Sequence, residues 1–313
     1  MKSKVLFLAC LFCISYQSYS QYYFYDDRYY DNDLVLDFGG SIGAMNSLTD
    51  LGGRKGRGKQ GVKDFNIRNT QLCAGIFATA IYRYDVALRL EATFGQVKGY
   101  DSILKAVAPT TGQRYERNLS FQSSIAEVML AAEFYPILIF SQFNQDKFPS
   151  LLQPYVLAGA GYFHFNPQTK LNNNWIDLQP LHTEGQGFKE YPNRKAYSLN
   201  QLCIPLGIGA KYEATSFLNL RMELVWRILS TDYLDDVSDR YIDPIYFPAY
   251  LSGTKLNQAL LLHDRHKPGA ETAHPDGIRG NPRNNDSYFN LNFKMSFIFN
   301  RERRSSIHRA IRL

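Results

Sequence analysis

The sequence predicts an all-β chain, an eight-stranded antiparallel up-and-down transmembrane β-barrel with long extracellular loops. Three observations predict it. First, the stretch from Leu218 to Ile228 alternates without a break: Leu218, Leu220, Met222, Leu224, Trp226 and Ile228 on one face, Asn219, Arg221, Glu223, Val225 and Arg227 on the other. Period-two alternation marks a strand. Soluble strands usually run ~5–6 residues, whereas a tilted membrane-crossing strand needs ~9–11. Second, seven further segments carry strand patterning, and the links between them alternate between long and shorter. Third, no run of eighteen consecutive apolar residues exists, so the chain offers no transmembrane helix. Taken alone, the alternation of residues 218–228 fits a soluble barrel with its apolar face inward or a membrane barrel with that face outward. The links decide between them.

The chain of 313 residues begins like an exported one. Lys2 and Lys4 precede an apolar run from Val5 to Ile14, and Ser18 and Ser20 place small residues before a cut. Residues 1–20 therefore read as a secretory signal peptide. Residues 21–33, rich in Tyr and Asp, read as an irregular lead-in, 34–299 as the barrel and 300–313 as a basic tail. The net charge of +6 misleads. Cleavage removes Lys2 and Lys4, and the tail holds five arginines against Glu302, so the body is neutral. A basic field that would attract nucleic acid is absent. Cys73 and Cys203 remain after the cut, too few for a disulfide framework, and read as buried thiols. Tyr (22) and Phe (21) greatly outnumber Trp (2), a bias that membrane–water interfaces select.

The expected strands are 34–44, 70–82, 86–97, 119–135, 154–165, 199–213, 218–228 and 287–299. The long links, 45–69, 98–118, 166–198 and 230–286, follow every odd-numbered strand. The shorter links, 83–85, 136–153 and 214–217, follow the even ones. In an up-and-down barrel alternate links share one end, so the long links gather there, as in outer-membrane barrels. A soluble eight-stranded barrel gives no reason for this asymmetry. The last strand also ends on Phe297-Ile298-Phe299. The expected location is the outer membrane, with lipid and lipopolysaccharide as surroundings.

With the apolar faces turned to lipid, the lumen receives Asp37, Glu91, Glu127, Glu133 and Glu223 against Arg89, Lys211, Arg221, Arg227 and Lys294. Eight strands enclose a space that side chains can fill. Balanced charge inside it suggests a plug, not a pore; the alternative is that some of these groups sit at the rims in water.

Four stretches now carry a resemblance: Gly39 to Gly53, Arg89 to Gly95, Tyr115 to Phe121, and Thr231 to Ser238. The chain resembles the PorG-like outer-membrane β-barrel family over nearly all of 34–299. The resemblance implies an eight-stranded barrel in the outer membrane of Gram-negative bacteria. It also implies a link to the type IX secretion and gliding apparatus, in which the best-known member associates with a periplasmic ring of a lipoprotein and a partner protein. It supplies no catalytic residues.

Other features have bland readings beside sharper ones. His263 and His266 lack further metal ligands and read as loop residues. Asp232, Asp235, Asp236, Asp239 and Asp243 have carboxylates suited to Ca²⁺ but not the spacing of a calcium loop. Arg54, Lys55, Arg57 and Lys59 suit lipopolysaccharide phosphate. The tail residues Arg301, Arg303, Arg304, Arg309 and Arg312 suit anionic lipid or an acidic periplasmic partner. His182 and Glu184 are the nearest thing to a catalytic pair, with no nucleophile placed beside them. The expectation is a non-enzymatic barrel without cofactor or metal. It serves type IX secretion and gliding through a periplasmic ring, or else outer-membrane integrity or surface interaction.

Overall fold

The computed structural model describes residues 29–52, 65–82, 85–110, 113–137, 152–215, 217–270, 274–283 and 285–303, with side chains between 34 and 299. The chain divides into two units, one of residues 32–300 and one of the chain ends 1–31 and 301–313; the first carries the barrel and its links. Residues 1–28, Arg54, Lys55, Arg57, Lys59, Arg304, Arg309 and Arg312 lie outside the described residues, as do the side chains of Arg301 and Arg303.

The strands are β1 (Tyr29–Leu48), β2 (Gln71–Tyr82), β3 (Val86–Tyr100), β4 (Ser120–Phe134), β5 (Leu152–Leu171), β6 (Asn174–Asp177), β7 (Asn200–Thr215), β8 (Leu218–Leu229) and β9 (Ser287–Arg303). All except β6 form one antiparallel ring, in which β9 neighbours β1 and β4 pairs with β5. β6 lies outside the ring, paired with the far end of β5 from Gln168 to Leu171. The ring is the expected eight-stranded barrel, with β8 its seventh strand.

Several strands outrun their sequence-based limits. β1 begins at Tyr29, inside the expected lead-in, and continues to Leu48. β9 reaches Arg303, taking in the first residues of the expected tail. β5 extends to Leu171 and turns back through β6, so residues 166–177 are a hairpin where a loop is expected. Ladder partners settle such ends, and they are remote in sequence: Gln122 of β4, for example, lies opposite Gln168.

Two apolar clusters bracket the barrel interior. Val35, Ile81, Ala87, Tyr135 and Ile298 lie toward the end with the short turns. Phe121, Phe163, Phe165, Leu229 and Tyr288 lie toward the end with the long links, where Leu234 and Val237 of the last long link pack on them. A third cluster belongs to the long links themselves. Leu178, Leu181 and Phe188 pack there with Ile242 and Phe247, and with Ala259 and Leu262 from the helix Gly253–His263. Those links therefore fold into a cap with a core of its own.

Candidate functional site

Strand pleating sends alternate residues of each barrel strand inward. All ten charged residues expected in the lumen are there, none more than 2% exposed. Arg89 Nη1 on β3 lies 2.6 Å from Glu223 Oε2 on β8 and 2.9 Å from Glu133 Oε1 on β4, and its Nε is 3.2 Å from Glu91. Lys294 Nζ lies 2.9 Å from Glu223 Oε1 and also pairs with Glu91. Arg221 bridges Asp37 of β1 and Glu133, and Arg227 Nε is 3.0 Å from Glu127 Oε2. Lys211 Nζ stands 4.8 Å from the ring centre of Tyr135.

Hydroxyls and amides extend the network. Tyr155 donates to Glu223 at 2.8 Å, Tyr135 donates to Glu133, and Tyr288 donates to Glu127. Asn219 and Ser296 donate to Asp37. Paired and hydrogen-bonded in this way, the charges escape much of the cost of leaving water. Chemically the network is a cross-brace: Arg89, Arg221, Arg227 and Lys294 are held by carboxylates from other strands.

The outer surface has the opposite character. Leu34, Leu36, Phe38 and Ile42 on β1, Leu88, Leu90 and Phe94 on β3, and Leu291, Phe293, Met295, Phe297 and Phe299 on β9 are all exposed. So are Leu202, Ile204, Leu206 and Ile208 on β7. Soluble proteins rarely leave apolar patches beyond a few hundred Å² uncovered. Here the apolar face circles a closed ring whose interior is charged, and the runs 34–42, 86–94 and 291–299 match the length of a tilted membrane strand. The protein is an outer-membrane β-barrel. At the loop end its lipid face carries stacked rings, Trp226 on Phe289 at 5.9 Å and Phe65 near Phe289 at 5.6 Å, as interfacial girdles do.

The cap over the loop end holds a second polar network, which sequence reasoning missed. Glu184 accepts from the backbone N–H of Ser238 and Asp239 and from Arg279 Nη1 at 2.9 Å. Arg279 also donates to the carbonyl of Asp236 at 2.7 Å. Asp236 sits at φ 63°, its carboxylate accepting from Thr183 Oγ1 at 2.6 Å and Tyr197 Oη at 2.7 Å. Arg117 clamps Asp101 through two nitrogens, at 2.8 and 3.0 Å, and donates to the carbonyl of Asp50. Links after β1, β3, β5 and β8 are thus tied together. Arg117 lies in the link after β3, where no alternation marks it for burial.

Several bland expectations need correction here. Asp232, Asp235 and Asp236 are buried in the cap. Asp239 pairs with Arg194 at 3.0 Å, and Asp243 caps the turn at Ile245. His263 is also buried, its Nε2 3.2 Å from the carbonyl of Ile242, and His266 faces Asp264. Among the described residues, no three His, Cys, Asp or Glu side chains gather closely enough to hold a metal ion. His182 packs against Phe188, while Glu184 is held by the backbone N–H groups of Ser238 and Asp239 and by Arg279. Cys73 and Cys203 are buried free thiols.

Burial governs the titration of the cap. It pushes the Asp232 carboxyl up to about 9, with the nearby Asp235, Asp50 and Glu184 adding to the rise. Asp235 and Asp286 are raised well above the usual carboxylate range, first by burial and then by acidic neighbours. Asp236 rises only to about 6, because Arg279 opposes the effect of burial. Burial lowers His263, and Arg279 lowers it further.

No protein-family model and no curated protein matches the sequence. Solved structures with a similar course of chain include Ail of Yersinia pestis, at 6% identity over 85% of this chain and 97% of that one, TM-score 0.34. Neisserial surface protein A shows 8% identity over 86% and 99%, TM-score 0.36. Outer Membrane Protein W of E. coli shows 12% identity over 86% and 100%, TM-score 0.33. At such values the assignment to the outer membrane rests on the barrel's own geometry.

Proposed function

We propose that this barrel is a non-enzymatic, non-conducting structural component of the outer membrane. The observation that supports it is the braced lumen, in which Arg89, Arg221 and Arg227 reach carboxylates on other strands between two apolar clusters. A pore needs a polar, water-filled interior, whereas this interior is occupied by its own side chains. On the resemblance to PorG-like barrels, the scaffold serves type IX secretion and gliding. It would meet a periplasmic ring through the short turns and the arginine tail. Crosslinking and pull-down from membranes tests this: ring components should come down with the full chain and be lost when residues 301–313 are deleted. A deletion strain that still secretes type IX cargo and glides would sink the proposal.

The folded cap favours a second reading, a surface-interaction barrel without a secretion role. Its buried clamps Arg117–Asp101 and Arg279–Glu184 hold a fixed outer surface, which neither a plug nor a periplasmic anchor requires. Loss of surface binding in a cap variant with normal secretion would support it.

A further inference from the structure

β3, β4 and β5 continue past the apolar belt, and there their outward faces change character. On β3 the series ending in Leu90, Ala92 and Phe94 gives way to Gln96 and Lys98. On β5, Tyr162 gives way to His164, Asn166, Gln168 and Lys170. On β4, Gln122 and Ser124 occupy the matching outward positions above Ala126 and Val128. Strand register lines these up in rows: Lys98 opposite Gln122 and Gln122 opposite Gln168, with Gln96, Ser124 and Asn166 in the next row. The wall runs on to β7, where exposed Asn200 lies opposite His164 and 2.9 Å from its ring nitrogen, while on β2 and β8 the outward surface stays apolar nearer the loop end, as at Leu72 and Trp226. The polar wall therefore occupies one side of the barrel.

Its height and chemistry select an occupant. From Phe94 to Tyr100, β3 advances about 20 Å at ~3.3 Å per residue, enough to pass through the ~5–8 Å of headgroup on one side of a bilayer. Whatever touches this wall therefore belongs to the layer whose acyl chains cover Phe94, Val128 and Tyr162. Lys98 Nζ lies 5.9 Å from the Tyr100 ring centre, and Lys170 Nζ lies 5.1 Å from that of Trp175, which is 40% exposed at the hairpin edge. Asn166 and Gln168 both donate to Asp177 Oδ1, at 2.9 and 2.6 Å, which fixes their amides. Amides and hydroxyls suit sugar hydroxyls, an open indole suits a sugar face, and lysines suit phosphate.

We propose that the outer wall of β3–β5, centred on Lys98, Gln122, Gln168, Lys170 and Trp175, binds the phosphorylated core saccharide of lipopolysaccharide. The site is contiguous with the lipid-facing belt and uses none of the residues of the Arg54 cluster, which lie outside the described residues. It requires the barrel in its membrane and nothing of a secretion role.

The full chain, its Lys98→Glu/Lys170→Glu variant and a Lys255→Glu control on the cap helix are reconstituted. Each is assayed for retained lipopolysaccharide and for the rise in melting temperature that added lipopolysaccharide causes. The double variant should retain about tenfold less, since it reverses two exposed charge contacts, while the control should match the parent. The neutral pair Gln122→Ala/Gln168→Ala should also retain less, which keeps the test valid if the charge reversal blocks folding. Unchanged retention in both pairs, an equal loss in the control, or equally strong binding of phosphatidylglycerol vesicles would overturn the proposal.

Discussion

Arg89 and Glu223 meet at 2.6 Å although they stand on β3 and β8, which lie opposite one another in the eight-stranded ring. Their contact spans the lumen, and Lys294 and Glu133 join it from two other strands. The pair is therefore a strut across the barrel. Glu223→Ala leaves Arg89 and Lys294 buried with a lost partner, a change that typically costs ~3–5 kcal/mol. The variant should lose its compact, heat-modifiable form at a lower temperature than the parent on an SDS gel. Arg89→Leu/Glu223→Leu should recover part of that loss, since removing both charges spares the desolvation. Equal melting of parent and Glu223→Ala would show that the strut contributes nothing.

The same struts predict the electrical behaviour. In planar bilayers the protein should give no stable, large single channels, because Arg221, Arg227 and their carboxylates fill the interior. Regular large steps from purified protein would contradict this.

The lipid face carries its own test. Met222 is exposed on β8 between Leu220 and Leu224. Met222→Arg should destabilise the barrel in lipid by about 2–4 kcal/mol if this position lies near the midplane, read by denaturant unfolding in liposomes. Val225→Arg, pointing inward from the same strand, should block folding outright.

The cap should respond to pH in the sense set by its acids. The folded cap holds Asp232 protonated to about 9, with Asp235 and Asp286 also raised, whereas an unfolded loop releases such protons near ~4. The folded form thus binds more protons over that interval, and its stability falls as pH rises through it. His263, lowered by burial, acts oppositely and only as pH falls below ~6.5. Limited proteolysis of the cap in intact barrels should therefore be slower at pH 6 than at pH 9. Asp232→Asn should flatten the difference, and a cap more resistant at pH 9 would refute the account.

Arg279 offers a test without titration. It holds Glu184 and the Asp236 carbonyl together from within the cap. Arg279→Ala should leave the barrel heat-modifiable while exposing residues 230–286 to protease. Cutting at the parent's rate would show that the clamp is dispensable.

The barrel was legible in the sequence because pleating imposes a strict period of two. Once Leu218 to Ile228 are turned to lipid, Arg221, Glu223 and Arg227 have nowhere to go but inward. The cap obeys no period. Nothing in the run Asp235-Asp236 marks burial, since Asp236 finds its partners Thr183 and Tyr197 far along the chain. The β5–β6 hairpin escaped for a similar reason, since Asn172 and Asn173 adopt positive φ inside a polar run that carries no alternation.

The ring closes where β9 meets β1, and the fit is tight there: a Cβ at Gly39 would collide with the Met295 carbonyl, and one at Gly43 with Asn292. No other seam of the ring joins its first strand to its last. Until β9 is in place, β1 and β8 each present an unpaired edge open to pairing with other chains. Closure of the ring therefore waits on β9. A chain stopped before Ser287 is not a smaller barrel but an open sheet with two sticky borders, and it depends on whatever shields those borders during export.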